Sequence, residues 1–370
     1  MATINWVDVR PKFPVTSKSV YLNTAAAGPL AETTAKAGAL YYEQMMNDGD
    51  IHWDEWLGQC EEVRKQLAAF INAEPEEIGF TTNTSSGMNL IIDALEKHGE
   101  VISCDLEFPV TTIPWMHRRV PVHFVKSVGG VVHAEDVRAA MNTRTGIISM
   151  SYVQFSNGFR SDLEELASIK GNHALVVNAS QAAGAFDIDV KRMKIDALCS
   201  TGHKWMRSGY GSGFVYISKE LQAATRQRTI GWLSVHDPYG MRNDEVHLRH
   251  DVASRAEIGC PHFAGIFSLG ASIEMMHSIG IENIQTRALE LNRKLTAQLT
   301  EAGLKVLSPL EEEKFRSAET LVAVENPANV VSHLAQHNIL VTEKPQGIRV
   351  ATDFFNNEDD IEILIRNLSV

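Results

Sequence analysis

Three features of the sequence predict an α/β architecture, with a mainly parallel central sheet flanked by helices and a smaller C-terminal α+β domain. Short apolar runs recur through the first two thirds of the chain, helical patterns separate most of them, and the character of the sequence changes after about residue 240. Strands alternating with helices imply βαβ crossovers and parallel pairing. In such sheets ligands bind beyond the carboxyl ends of the strands.

The extended Tyr21-Leu22-Asn23 precedes a helical stretch from about 31 to 72, within which Trp56, Cys60, Val63, Leu67 and Phe70 recur at spacings of three and four. Strands are expected at 78–81, 100–104, 123–125, 146–152, 174–177, 197–200 and 213–217, with helices at 86–97, 134–141 and 162–169. Residues 241–255 are charged and His-rich without clear period, which reads as a surface connection. A helical run from 264 leads to a longer one at 281–302. Strands at 320–324, 339–342 and 348–351 and a closing helix at 357–368 complete the pattern. The implied division is an N-terminal segment 1–20 packed with the small domain, a large domain 21–245, and a connection with the small domain over 246–370.

The 370 residues exceed the ~100–200 of one typical domain, in keeping with this division. With 34 Lys+Arg against 46 Asp+Glu the net charge is −12, which argues against a nucleic-acid partner because phosphate binding needs a basic face. No apolar run approaches the ~18–20 residues of a membrane span, and residues 1–20 carry Asp8, Arg10, Lys12 and two prolines where a signal peptide would need an apolar core. A soluble, cytoplasmic protein is expected. Cys60, Cys104, Cys199 and Cys260 show neither CxxC nor zinc spacing. His247 and His250 lack a carboxylate-histidine set on one face, so no metal site is expected.

The chemistry concentrates in Ser200-Thr-Gly-His-Lys-Trp205, directly after an apolar strand. Thr201 and His203 offer donors suited to a phosphate, and Ser208-Gly-Tyr-Gly-Ser-Gly213 allows close backbone approach. Upstream, the strand at 174–177 runs into Asn178-Ala-Ser-Gln181. Two adjacent strand ends would thus present a polar pair and a lysine to one crevice.

This arrangement resembles the class V aminotransferase family of pyridoxal-phosphate enzymes, fold type I, which includes cysteine desulfurases and isopenicillin-epimerase-like proteins. The resemblance spans almost the whole chain in order. It runs from Arg10-Pro-Lys-Phe-Pro-Val-Thr16 and Tyr21-Leu-Asn-Thr-Ala-Ala-Ala-Gly-Pro29 through Phe80-Thr-Thr-Asn-Thr-Ser-Ser-Gly-Met-Asn89, Glu107-Phe-Pro109 and Pro114-Trp115. It continues through Asn178-Ala-Ser-Gln181, Gly202-His-Lys-Trp205, Glu257-Ile-Gly-Cys-Pro261 and Ile348-Arg-Val350. Pyridoxal 5′-phosphate is the implied cofactor, and Lys204 the residue that forms a Schiff base with it and then moves the α-proton. Thr84 and Ser85, opening a helix, would hold the phosphate with the helix dipole, aided by Thr201 and His203. Gln181 would bond the ring O3′, and Phe108 would cover the ring where the family often has His. Arg349 would take the substrate α-carboxylate, with Ala25 and Ala26 in the small-residue loop beside it. Gln154, or its competitor Asn157, would contact cofactor or substrate. Gly259 and Cys260 match a Gly-Thr that reaches the partner subunit's phosphate, so a homodimer with its site near the interface is implied.

Two departures from the family pattern matter. Asn178 stands where the family usually has Asp, and a neutral amide can donate to an unprotonated pyridine nitrogen but supplies no countercharge, which predicts a weaker electron sink. The stretch before Arg349, Val341-Thr-Glu-Lys-Pro-Gln-Gly-Ile, lacks the reactive cysteine of desulfurases. The expected activity is therefore an aminotransferase acting at the α-carbon of an amino acid. A β- or γ-eliminating lyase or epimerase without that cysteine is the alternative, and a low-activity cofactor-binding paralogue is the third reading.

Overall fold

The computed structural model describes residues 4–368; residues 1–3 and 369–370 of the expected terminal segments lie outside the described residues. Strand β1 (Val20–Tyr21) is followed by β2 (Ile78–Thr81), β3 (Glu100–Cys104), β4 (Val122–Val125), β5 (Thr145–Ser151), β6 (Ala174–Asn178), β7 (Ala197–Thr201) and β8 (Gly213–Ile217). The last seven of these form one sheet in the order β2-β8-β7-β6-β5-β3-β4. Pairing is parallel from β7 through β4, and β8 alone runs against both of its neighbours. Every residue of β7 and β8 is buried. A strand covered by helices on both faces needs a continuous apolar run rather than alternation, which is why these segments stand out in the sequence.

The helical stretch expected over 31–72 is two helices, Glu32–Asp48 and Trp53–Phe70. Gly49 ends the first at φ +66°, a backbone conformation that favours glycine, with its N–H on the Met45 carbonyl. Trp56, Cys60, Val63 and Leu67 are the buried face of the second helix, packed in one core with the helix Phe263–Ile279. That helix falls inside the expected small-domain range 246–370, yet it buries nearly its whole length beside the large sheet.

The C-terminal region contributes β9 (Glu319–Ala323), β10 (Ile339–Leu340), β11 (Thr342–Lys344) and β12 (Gly347–Ala351). The expected strand at 339–342 is divided, because β10 pairs with β1 while β11 pairs with β12. A second core gathers Leu291, Leu295 and Leu299 of the helix Ile281–Glu301 against Val322, Ile348 and Val350, with Ile361 and Leu364 of the closing helix Glu358–Leu368. Val20 and Leu22 join this core from the N-terminal side. Arg10 pairs with Asp360 at 2.7 Å, and the Phe13 ring lies 4.7 Å from that of Phe355. The N-terminal segment is thereby anchored on the C-terminal region. Among the described residues no single helix is long and apolar enough to cross a membrane.

Candidate active site

Strands β5, β6 and β7 are consecutive in the sheet and end at Ser151, Asn178 and Thr201. A cavity of about 160 Å³ opens at these carboxyl ends, as expected of parallel α/β sheets. Its walls include Asn83, Thr84 and Ser85 at the start of the helix Thr84–Leu95, together with Phe108, Gln181, His203 and Lys204.

Lys204 lies three residues beyond β7 in a tight loop. The Gly28 N–H donates to the His203 carbonyl at 2.7 Å, and a Cβ on Gly28 would stand 2.1 Å from the Lys204 carbonyl oxygen. No other residue allows this approach between the N-terminal loop and the lysine loop. Burial, reinforced by the positive Arg349 and Lys344 and opposed by Glu319, pushes the Lys204 amine down to about 8. About a tenth of it is then neutral at pH 7, so an aldehyde should add to the apoprotein roughly tenfold faster at about pH 9 than at pH 7. A lysine at its ordinary value would gain roughly a hundredfold over that interval. Stopped-flow absorbance against pH distinguishes the two slopes.

The helix Thr84–Leu95 makes the anionic corner. The first N–H groups of a helix have no intrahelical acceptor. Asn83 Oδ1 accepts from the Ser86 N–H at 3.0 Å, which leaves the Thr84 and Ser85 N–H groups and the positive helix end for a ligand. Thr201 Oγ1 and His203 Nδ1 are 2.6 Å apart, and the imidazole stacks on Tyr210 at 4.3 Å between ring centroids. Burial, with Lys204 adding to it, pushes His203 down to about 4, so its ring is neutral at pH 7. A neutral imidazole with Nδ1 on Thr201 presents its second nitrogen as the remaining polar atom.

The orientation of Asn178 is fixed by its neighbours. Its Oδ1 accepts from the Ser180 N–H at 3.1 Å and from the Ser180 hydroxyl at 2.7 Å, so the oxygen is committed. Its Nδ2 donates one hydrogen to Thr111 Oγ1 at 3.0 Å, and the other is left for the cavity that Asn178 lines. Thr84 Oγ1 lies 2.6 Å from Ser180 Oγ, so the phosphate corner and Asn178 belong to one hydrogen-bonded chain. Gln181 is similarly held. Its Nε2 donates to the Ala25 carbonyl at 2.9 Å, and its Oε1 accepts from Trp205 Nε1 at 2.8 Å.

Pyridoxal 5′-phosphate fits this donor set. The cavity has a helix N-terminus with free N–H groups for a phosphate, and an amide hydrogen from Asn178 suited to an unprotonated pyridine nitrogen. It also has an aromatic wall in Phe108 and a lysine with a depressed amine. Lys204 Nζ is 5.7 Å from the centroid of the Phe108 ring.

Other expected residues lie elsewhere. Along the extended segment after β5, Ser151, Val153 and Phe155 face the cavity. Side chains alternate along such a segment, so Gln154 points the other way, and its Nε2 donates to the half-buried Glu107 at 2.6 Å. Gln154 is thus a structural partner of Glu107 and no part of the cavity wall. Its competitor Asn157 is tied to the Gly130 carbonyl at 2.8 Å. Gly259 and Cys260 line a different cavity, of about 300 Å³, with Gly211 and His262. Ala25 and Ala26 are outside the cavity wall, Ala25 serving through its carbonyl on Gln181. Arg349 is buried outside the wall; its Nη1 bonds the Phe155 carbonyl and Glu319 Oε2, both at 3.3 Å.

Sequence reasoning assigned no role to Ser180, Tyr210, Glu319 or Lys344. Ser180 sits inside the quoted Asn178-Ala-Ser-Gln181, where its hydroxyl was a usable signal. Tyr210 and Lys344 lie in quoted segments, but their contacts with His203 and Phe155 depend on loop and hairpin geometry, and Glu319 meets Arg349 from 30 residues away.

At the level of sequence the chain is 24% identical to an uncharacterized aminotransferase, YcbU, of Bacillus subtilis, over 97% of this chain and 96% of the relative. It is 28% identical to a probable cysteine desulfurase of Methanothermobacter thermautotrophicus, over 79% of this chain and 75% of the relative. In structure it superposes on a C-DES variant with glycine covalently linked to its PLP cofactor, with a TM-score of 0.90 at 19% identity, over 99% of each chain. The profile of the family Aminotransferase class-V matches residues 20–364, and the chain belongs to that family.

Proposed function

We propose that the protein is a pyridoxal-phosphate-dependent aminotransferase acting at the α-carbon of an amino acid. One observation carries the reading: a half-buried lysine with a depressed amine stands in the same cavity as a helix N-terminus with free N–H groups. When bound, pyridoxal phosphate supplies an aldehyde carbon and a ring that withdraws electrons from the α-carbon. Thr84 and Ser85 N–H groups, Thr201 and His203 bind the phosphate. Phe108 covers the ring and excludes water from one face. Asn178 Nδ2 and Gln181 Nε2, each with one hydrogen remaining, would be the donors for the ring nitrogen and the ring oxygen. Lys204 Nζ takes the proton from the α-carbon and holds it. Arg349, which lies behind the wall residue Phe155 and bonds its carbonyl, acts together with Lys344 to draw the substrate carboxylate to that corner. The homodimer implied by the resemblance is part of the proposal, with Gly259 and Cys260 facing the partner; light scattering at twice the chain mass is the expected result.

The cysteines favour transfer or elimination without a protein thiol. Burial raises the thiols of Cys104 and Cys199 and pushes Cys60 up to about 12, so all three are inert. Cys260 is exposed but lines the other cavity. β11 and β12 are joined through only Pro345 and Gln346, with Lys344 opposite Gly347, which leaves no loop for a mobile cysteine. A β- or γ-lyase or an epimerase remains the second reading, because neither needs such a thiol. An amino-acid panel on the loaded enzyme tests the first. Conversion of the cofactor to its amine form with release of a keto acid supports transamination. Release of keto acid with ammonia supports elimination, and no change with any amino acid supports the low-activity reading.

Asn178→Asp gives a sharper test of the ring contact. The carboxylate would accept from both Ser180 donors and supply the missing countercharge, so turnover should rise about tenfold or more. The cofactor absorbance should titrate at higher pH. An unchanged rate and titration would contradict the assigned contact.

A further inference from the structure

One face of the three-stranded sheet β11-β12-β9 carries an uneven set of charges beside the cavity. In the antiparallel register Thr342 opposes Arg349 and Leu321 opposes Arg349 from the other side, while Lys344 and Glu319 are two residues along their strands from those positions. Side chains two apart on a strand share a face, and diagonal neighbours across an antiparallel pair are within reach of long side chains. Lys344, Arg349 and Glu319 therefore converge on one face.

The contacts agree. Glu319 Oε2 lies 3.3 Å from Arg349 Nη1, and the two side chains are 1% and 5% exposed. Lys344 Nζ stands 4.3 Å over the ring of Phe155, whose carbonyl accepts from Arg349 and whose ring forms part of the cavity wall. Two polar atoms in this set are buried without any partner, Arg349 Nε and Glu319 Oε1. An ion pair with unused hydrogen-bonding capacity on both members is incomplete. Burial pushes the Glu319 carboxyl up, against the opposing pull of Arg349, Lys204 and Lys344, and its 3.3 Å contact with Arg349 is what favours the charged form.

Once Lys204 is engaged with an aldehyde, Arg349 and Lys344 carry two positive charges and Glu319 one negative. The remainder is a single positive charge, enough for one carboxylate. We propose that Glu319 is a specificity-determining residue. It offsets one of the two cations Arg349 and Lys344 and leaves this corner one net positive charge, so that the site takes a monocarboxylic amino acid and discriminates against dicarboxylic ones. The inference rests on the proposed function, in that it assumes the substrate carboxylate comes to this corner. A second carboxylate would find no further net positive charge at this corner and would feel the field of the buried Glu319 behind it, a repulsive element of the kind that sets specificity. Removing Glu319 would leave a buried guanidinium unpaired and so create demand for an added anion.

The test uses the cofactor-loaded enzyme, with propionate and glutarate as probes titrated by calorimetry. Wild type should bind propionate, and glutarate no more than about threefold tighter. Glu319→Gln should tighten glutarate at least tenfold, and propionate by less, so that the ratio between them rises. Lys344→Met, made in the wild-type background, should weaken propionate about tenfold. Because Glu319→Gln could fail to fold, Lys344→Met and the wild-type ratio each stand as separate tests. Wild type preferring glutarate tenfold or more, binding neither anion, or showing no loss in Lys344→Met overturns the inference, as does an unchanged ratio in folded Glu319→Gln. A wild-type chain that takes up no cofactor refutes the proposed function itself, whereas a loaded chain with the wrong ratio refutes only the role of Glu319.

Discussion

Lys204→Ala is expected to lose turnover by about a thousandfold or more and to lose the absorbance of covalently attached cofactor. Among the described residues of the cavity wall, the amine is the one group suited both to attack an aldehyde and to take a proton from carbon. Phe108, which faces it, has no titratable atom, and His203 is stacked on Tyr210 with its Nδ1 on Thr201. Stability should move in the opposite direction. The folded-state value of Lys204 lies below that of free lysine, so its protonated form opposes folding at every pH below about 8. The penalty fades as pH rises from about 8 towards the ordinary lysine value. The Lys204→Ala apoprotein should therefore melt no lower than wild-type apoprotein at neutral pH, which separates lost chemistry from lost folding in one thermal scan.

Asp353→Ala should cost about 3–5 kcal/mol of stability, because it strands a buried guanidinium. Arg207 and Asp353 are 0% and 1% exposed and meet through two contacts, Nε to Oδ2 at 3.1 Å and Nη2 to Oδ1. The same guanidinium lies 4.3 Å from the centroid of the Phe354 ring and bonds the Trp205 carbonyl. Arg207 is three residues beyond Lys204 and takes a positive φ of 50°. The pair thus ties the lysine loop to the chain just after β12, and cofactor affinity should fall with stability. Glu362→Ala, which removes the exposed partner of Arg366, should by contrast stay within about 0.5 kcal/mol. Urea unfolding of the three proteins gives the comparison; equal losses for both substitutions would contradict this account of the loop.

The parts of the fold legible in the sequence are those where burial demands a repetitive pattern. β7 and β8 are apolar because both faces are covered, and Trp56, Cys60, Val63 and Leu67 recur because one helical face is. The break at Gly49 was less visible, since a glycine between two polar stretches signals a turn only once the second helix is seen to fold back. In the site, the ends of β6 and β7 could be placed because strand order alone brings them to one crevice, whereas Thr84 and Ser85 at the helix start were implied by the resemblance. Gln154 could not. Whether a side chain beyond a strand end faces the cavity depends on a one-residue register, and Ser151, Val153 and Phe155 hold the inward positions. Glu319 was also beyond reach, since a carboxylate opening a strand has no meaning until the β12-β9 register sets it diagonal to Arg349.

The central claim is that Lys204 holds pyridoxal phosphate covalently in the cavity at the ends of β5, β6 and β7. Borohydride reduction of the loaded enzyme, followed by peptide mass spectrometry, tests it most directly. The account predicts a single cofactor adduct on the peptide containing Lys204, absent from Lys204→Ala. An adduct on another lysine, or none in protein saturated with cofactor, would contradict it.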